Sequence, residues 1–120
     1  MIFVESRMFA TRVHSLMDDE QYSRLQAHLM ENPQSGPVIP GCDGIRKLRW
    51  GVVSQGKGKR SGARVIYLHL PEADRIDMLL VYGKDESDDL TAGEKKALAE
   101  LAVKAKREAL SWARRQRSGT

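Results

Sequence analysis

Seven basic side chains, Arg46, Lys47, Arg49, Lys57, Lys59, Arg60 and Arg64, fall between residues 44 and 71, and that segment holds no carboxylate. The chain carries 16 Asp and Glu in 120 residues, so an acid-free segment of this length is not expected by chance. Residues 1–43 are acidic on balance and residues 72–120 are balanced, so the formal charge of +4 is concentrated in the middle. Such a concentration is a positive potential suited to phosphate; the plainer alternative is a solvated basic loop. Little more than cations is needed to cut RNA at a phosphodiester. A base takes the 2′-hydroxyl proton, cations stabilise the charged transition state, and an acid protonates the leaving 5′-oxygen. Arginine offers permanent charge and paired donors. A lysine crowded by like charge gives up its proton more readily, which suits it to act as a base. Lys84 closes a later strand and can share the basic face. Tyr67 and Tyr82 can stack on a base, orient a phosphate, or simply fill the core.

Other chemistries find no support in the spacing. His14, His28 and His69 lack the i,i+4 partner of a helical metal site, and each reads as an ordinary helix or sheet residue. The single cysteine, Cys42, excludes an internal disulfide and multi-cysteine zinc patterns; its turn setting offers no activating neighbour. No Gly-x-Ser-x-Gly elbow occurs, and Gly56-Lys57-Gly58-Lys59 lacks the spacing of a P-loop. Neither a signal-peptide pattern nor an apolar run of membrane length is present, so a reducing cytoplasm is the expected compartment. No cofactor or metal is expected.

The elements that must position the cations follow from periodicity. One domain, residues 1–120, is expected from length and hydrophobic content. Ile2-Phe3-Val4 reads as a short buried strand. Phe9, Val13, Leu16 and Met17 recur at helical spacing. Asp18 and Asp19 cap a second helix with Tyr22, Leu25 and Leu29 on its core face, and Asn32-Pro33 stops it. Gln34 to Gly44 is a loop. From Ile45 to Val53 the period becomes two, followed by a basic hairpin loop from Ser54 to Gly62. A strand from Ala63 to Leu70 has Val65, Tyr67 and His69 on one side and Arg64, Ile66 and Leu68 on the other. Ile76 to Tyr82, the most apolar strand, belongs in the middle of the sheet. Thr91 and Glu94 form a capping box for a final helix to about residue 117, with Leu98, Leu101, Ala105, Ala109 and Trp112 as its apolar stripe. The expected fold is α+β in the order β-α-α-β-β-β-α, a curved, mainly antiparallel sheet with helices laid against it.

Three segments in this order resemble one family. Ile39-Pro40-Gly41 leading into Gly44-Ile45-Arg46-Lys47-Leu48-Arg49-Trp50 is the first. Gly56 through Tyr67, with its Gly-Lys-Gly-Lys-Arg start and Gly-Ala-Arg-Val-Ile-Tyr end, is the second. Leu80-Val81-Tyr82-Gly83-Lys84 with acidic residues and Asp89-Leu90-Thr91 after it is the third. All three are similar to segments of HigB-type toxins of the RelE/ParE superfamily, and the likeness thins after about Lys104. The resemblance implies the toxin of a type II toxin–antitoxin system with a RelE-like fold. Its activity would be that of a metal-independent mRNA endoribonuclease working in the ribosomal A site, where it would also contact rRNA. Its partners would be mRNA, the ribosome and a cognate antitoxin of helix-turn-helix type.

Position by position, the resemblance makes Arg64 and Lys84 the catalytic residues. It matches Lys57, Lys59 and Arg60 to a basic loop, with Arg46 and Arg49 lining the face, as the RNA- and ribosome-binding set; Tyr67 and Tyr82 join that set from their own chemistry alone. Two departures stand out: some relatives have arginine directly after the equivalent of Lys84, where this chain has Asp85, and a tyrosine in the last helix, where this chain has Trp112. Two rival readings are a ParE-like poison of DNA gyrase without nuclease activity and a plain RNA-binding domain.

Overall fold

The structure is a computed structural model that describes residues 1–53, 60–83 and 90–118; of residues 52, 53, 60 and 61 it describes the backbone alone. In chain order come β1 (Ile2–Glu5), α1 (Arg7–Leu16), α2 (Asp19–Glu31), β2 (Arg46–Val53), β3 (Arg60–Leu70), a 3-10 turn (Pro71–Ala73), β4 (Arg75–Gly83) and α3 (Ala92–Ser118). Among the described residues this is an α+β arrangement of three helices and one open four-stranded mixed sheet. The strand order is β1-β4-β3-β2, so β4 and β3 are interior. β3 runs antiparallel to both neighbours, and β1 lies parallel to β4.

Local chemistry sets the helix starts. Ser6 Oγ accepts the Phe9 N–H at 3.0 Å and donates to the Leu79 carbonyl at 2.7 Å, which caps α1 and pins it to β4. Asp18 and Gln21 form a reciprocal capping box at α2. The expected box at α3 is present: Glu94 N–H donates to Thr91 Oγ1, and Thr91 N–H donates to Glu94 Oε1. Each such cap is worth about 1 kcal/mol, because it satisfies amides that the helix itself cannot.

Helices cover both faces of the sheet, which is why β4 is buried from Ile76 to Tyr82. On one face Phe9, Val13, Leu25 and Leu29 pack against Val65, Tyr67, Ile76, Met78 and Val81. On the other, Leu98, Ala102, Ala105 and Ala109 of α3 pack against Ile66, Leu68, Leu79, Leu80 and Tyr82. The buried stripe of α3 corrects the expected one. Leu101 and Trp112 are 45% and 41% exposed. Three alanines let the helix backbone approach the sheet closely, and the two bulky side chains fall to its flank.

Two further details differ from the periodicity. β3 begins at Arg60, so Arg60 to Gly62 belong to the ladder and not to the loop. A register shift between Ile66 and Tyr67 pairs Ile66 with Leu80 and Tyr67 with Met78, leaving Leu79 as an extra residue in β4. Leu79 and Leu80 therefore both join the α3-side core. Past this bulge the parity of β4 is reversed, and Tyr82 lands on the same face as Arg64.

Among the described residues no helix is long and apolar enough to cross a membrane.

Candidate functional site

β2 and β3 pair Arg49 with Arg64, and β3 and β4 pair Arg64 with Tyr82. Residues directly opposite in a ladder project from the same face, so the three side chains form one row across three strands. Arg49 is exposed at the sheet edge, whereas Arg64 is only 7% exposed. Like charges set directly opposite destabilise a sheet, by up to about 1 kcal/mol. An anion lying over the pair would reverse the sign of that term.

The next row is made of two glycines, Gly51 opposite Gly62. A methyl group added at Gly62 would stand 3.0 Å from an Arg64 guanidinium nitrogen, so the arginine lies back over the glycine. A methyl group at Gly51 would meet nothing within 4 Å. Glycines inside a ladder mark places where another backbone comes close. Beside the arginine pair, Gly62 makes room for the Arg64 side chain, and Gly51 leaves the strand surface open at the sheet edge. This glycine row was not anticipated from sequence. Registering the two strands about a centre midway between residues 49 and 64 pairs the glycines too, but the long basic loop leaves that centre open.

The structure separates the other expected site residues. Arg46 pairs with Tyr67 and projects from the opposite face to Arg49 and Arg64. Its guanidinium donates to the carbonyls of Gly36 and Gln34 at 2.8 and 3.2 Å, holding the loop before β2. Arg46 thus stands apart from Arg49 and Arg64, and the structure gives it a hold on that loop. Tyr67 is fully buried; its hydroxyl donates to the Pro33 carbonyl and accepts the Gly36 N–H. It has no face on which a base could stack, and loop anchoring is its role. Tyr82, at 4% exposure, packs with Leu90 and Leu98 and likewise offers no open ring face. Lys57, Lys59 and Lys84 lie outside the described residues, as does the side chain of Arg60. β4 ends at Gly83, which pairs with Ala63, the residue before Arg64.

The histidines are dispersed. His28 lies against Trp50 with ring centres 5.4 Å apart and has Ser35 Oγ at 3.0 Å. His14 is 3.6 Å from Asp19 on the exposed surface. Burial, and then the charge of Arg46, hold His69 below its ordinary pKa. Cys42 is buried. Among the described residues no three His, Cys, Asp or Glu side chains are placed to hold a metal ion. Asp77 is largely buried, and Arg75 occupies it at 2.7 Å.

What the described face can do chemically is hold anions. Arg49 and Arg64 stand opposite each other on adjacent strands, Gly51 leaves the surface beside Arg49 open, and β2 and β3 contribute no carboxylate. No model of a known protein family matches this chain.

Proposed function

We propose that the chain is a RelE-like toxin of the HigB type, an endoribonuclease that cuts mRNA on the ribosome and so stops translation. The observation that carries the reading is the opposed pair Arg49 and Arg64 beside the Gly51–Gly62 row. The order of the three family-like segments and the acid-free run around Arg64 support it from the sequence side.

In this reading the scissile phosphate lies over the arginine pair. The 2′-oxygen attacks phosphorus, the 5′-oxygen leaves, and a 2′,3′-cyclic phosphate remains; no metal or cofactor takes part. Arg64 stabilises the charge that grows on the phosphoryl oxygens, or serves as the acid that protonates the 5′-oxygen. One well-aimed donor of this kind contributes about 3–4 kcal/mol. Lys84 is the base or a second phosphate clamp, and Lys57, Lys59 and Arg60 hold the mRNA and rRNA backbones. An antitoxin silences the protein by covering this face or by blocking entry to the ribosome. Cytoplasmic location follows from that substrate.

Primer extension on cellular mRNA after brief induction tests the proposal. Cuts within the codons of translated messages are expected. Intact mRNA accompanied by a DNA-damage response would replace the proposal with gyrase poisoning. Intact mRNA with unimpaired translation would leave only an RNA-binding domain.

A further inference from the structure

A second cationic feature lies on the same face, two residues along β2. Lys47 pairs with Ile66, so it projects from the side that carries Arg49 and Arg64. There it lines a cleft of about 190 Å³ together with Pro37, Val38, Ile39, Pro40, Leu90 and Lys95. The lining combines an apolar, proline-rich segment, residues 37–40, with two lysines from different elements. The proline-rich segment is fixed to β2. Lys47 N–H donates to the Pro37 carbonyl, and Ile39 N–H donates to the Ile45 carbonyl. Gly36 permits this close approach, since a methyl group there would sit 3.0 Å from the Lys47 backbone.

We infer that this cleft is a nucleotide subsite, which holds the unit of single-stranded RNA next to the one over Arg49 and Arg64. Its phosphate lies between Lys47 and Lys95, and its base rests on the Pro37–Pro40 wall. Charge and shape select this occupant. Flat rings stack on apolar walls irrespective of base identity, and ammonium groups serve as point donors to phosphate. Spacing agrees as well. Two residues along a strand span about 7 Å, comparable to one phosphate step of an extended strand. The inference rests on the RNA reading above and adds to it a second contact, which would fix the direction in which the strand crosses the sheet.

Fluorescence anisotropy with a labelled tetrauridylate, over a range of salt, measures this contact. The proteins to compare are wild type, Lys95→Glu and the double variant Arg49→Ala/Arg64→Ala. Lys95 is exposed in the first turns of α3, where an acidic residue suits the helix dipole, so Lys95→Glu keeps the fold. Lys95→Glu is expected to weaken binding about tenfold and to lower the salt slope by roughly 0.7, the amount for one lost phosphate contact on a single strand. A tetranucleotide carrying 4-thiouridine is expected to crosslink to residues 37–40.

Wild-type affinity in Lys95→Glu, with loss only in the arginine double variant, would overturn the subsite and leave the RNA reading standing. Weakened binding with crosslinks elsewhere would also overturn it, because the lysine would then act only through general charge. Failure of the wild type to bind tetrauridylate would overturn the subsite, while the RNA reading stands or falls by the primer-extension map.

Discussion

Arg49 and Arg64 face each other directly across β2 and β3, on a sheet face whose next row is glycine opposite glycine. An arrangement that sets two cations side by side and then strips the neighbouring positions of side chains works against sheet stability twice. It opposes like charges, and it forgoes the packing that larger residues would supply. Under the proposed function, a phosphate chain lying over the pair offsets both.

If Arg64 stabilises the transition state, its removal lowers the cleavage rate about 100- to 1000-fold. Arg64→Ala should abolish growth arrest on expression while circular dichroism shows the fold intact. Arg64→Lys should recover only part of the activity, since an ammonium cannot make the paired contact of a guanidinium. Full toxicity of Arg64→Ala would remove Arg64 from the mechanism.

Gly62 positions Arg64. An added methyl group would stand 3.0 Å from a guanidinium nitrogen. The far end of a flexible side chain can move away, so Gly62→Ala should leave the melting temperature nearly unchanged while cleavage falls. Gly51→Ala meets no atom within 4 Å. It should therefore fold normally, and its effect on RNA affinity reports directly on how close the strand lies. A Gly62→Ala protein with wild-type activity would show that the lie of Arg64 over Gly62 is incidental.

Tyr67 tests the difference between a binding residue and an anchor. Tyr67→Phe removes the hydroxyl that joins Pro33 and Gly36 to the core. Leaving those backbone groups without their partner should cost about 1–3 kcal/mol, read as a lower urea midpoint. RNA affinity of the folded variant should match that of wild type. Reduced affinity at unchanged stability would return Tyr67 to the site.

His69 gives a pH signature. Its pKa in the folded chain is lowered, first by burial and then by Arg46, with Asp74 and Glu72 opposing. The neutral ring is thus favoured on folding, and the unfolded chain binds the proton more tightly. The contribution to stability is full above the ordinary histidine value near 6.5 and is lost as pH falls through the lower folded value. Chemical denaturation between pH 7.5 and pH 5 should therefore show a falling stability that His69→Gln flattens. An unchanged slope in that variant would assign the acid sensitivity elsewhere.

The sequence by itself determined the order of the elements and the caps of α2 and α3. Asp18 and Thr91 start helices through side chains a few residues from the amides they satisfy, and alternation along β3 is enough to split Arg64 from Tyr67. Such information is local, because hydrogen bonds three residues apart and a period of two need no knowledge of the rest of the chain. Only the tertiary structure decided which residues meet. The β2–β3 register set Arg49, and not Arg46, beside Arg64 and aligned Gly51 with Gly62. The extra residue at Leu79 turned Tyr82 onto the face of Arg64, and close packing by the alanines of α3 pushed Leu101 and Trp112 aside. The physical reason is the same in each case. A shift of one residue in a ladder exchanges the two faces of a strand, and what fixes that shift is the packing of both cores at once.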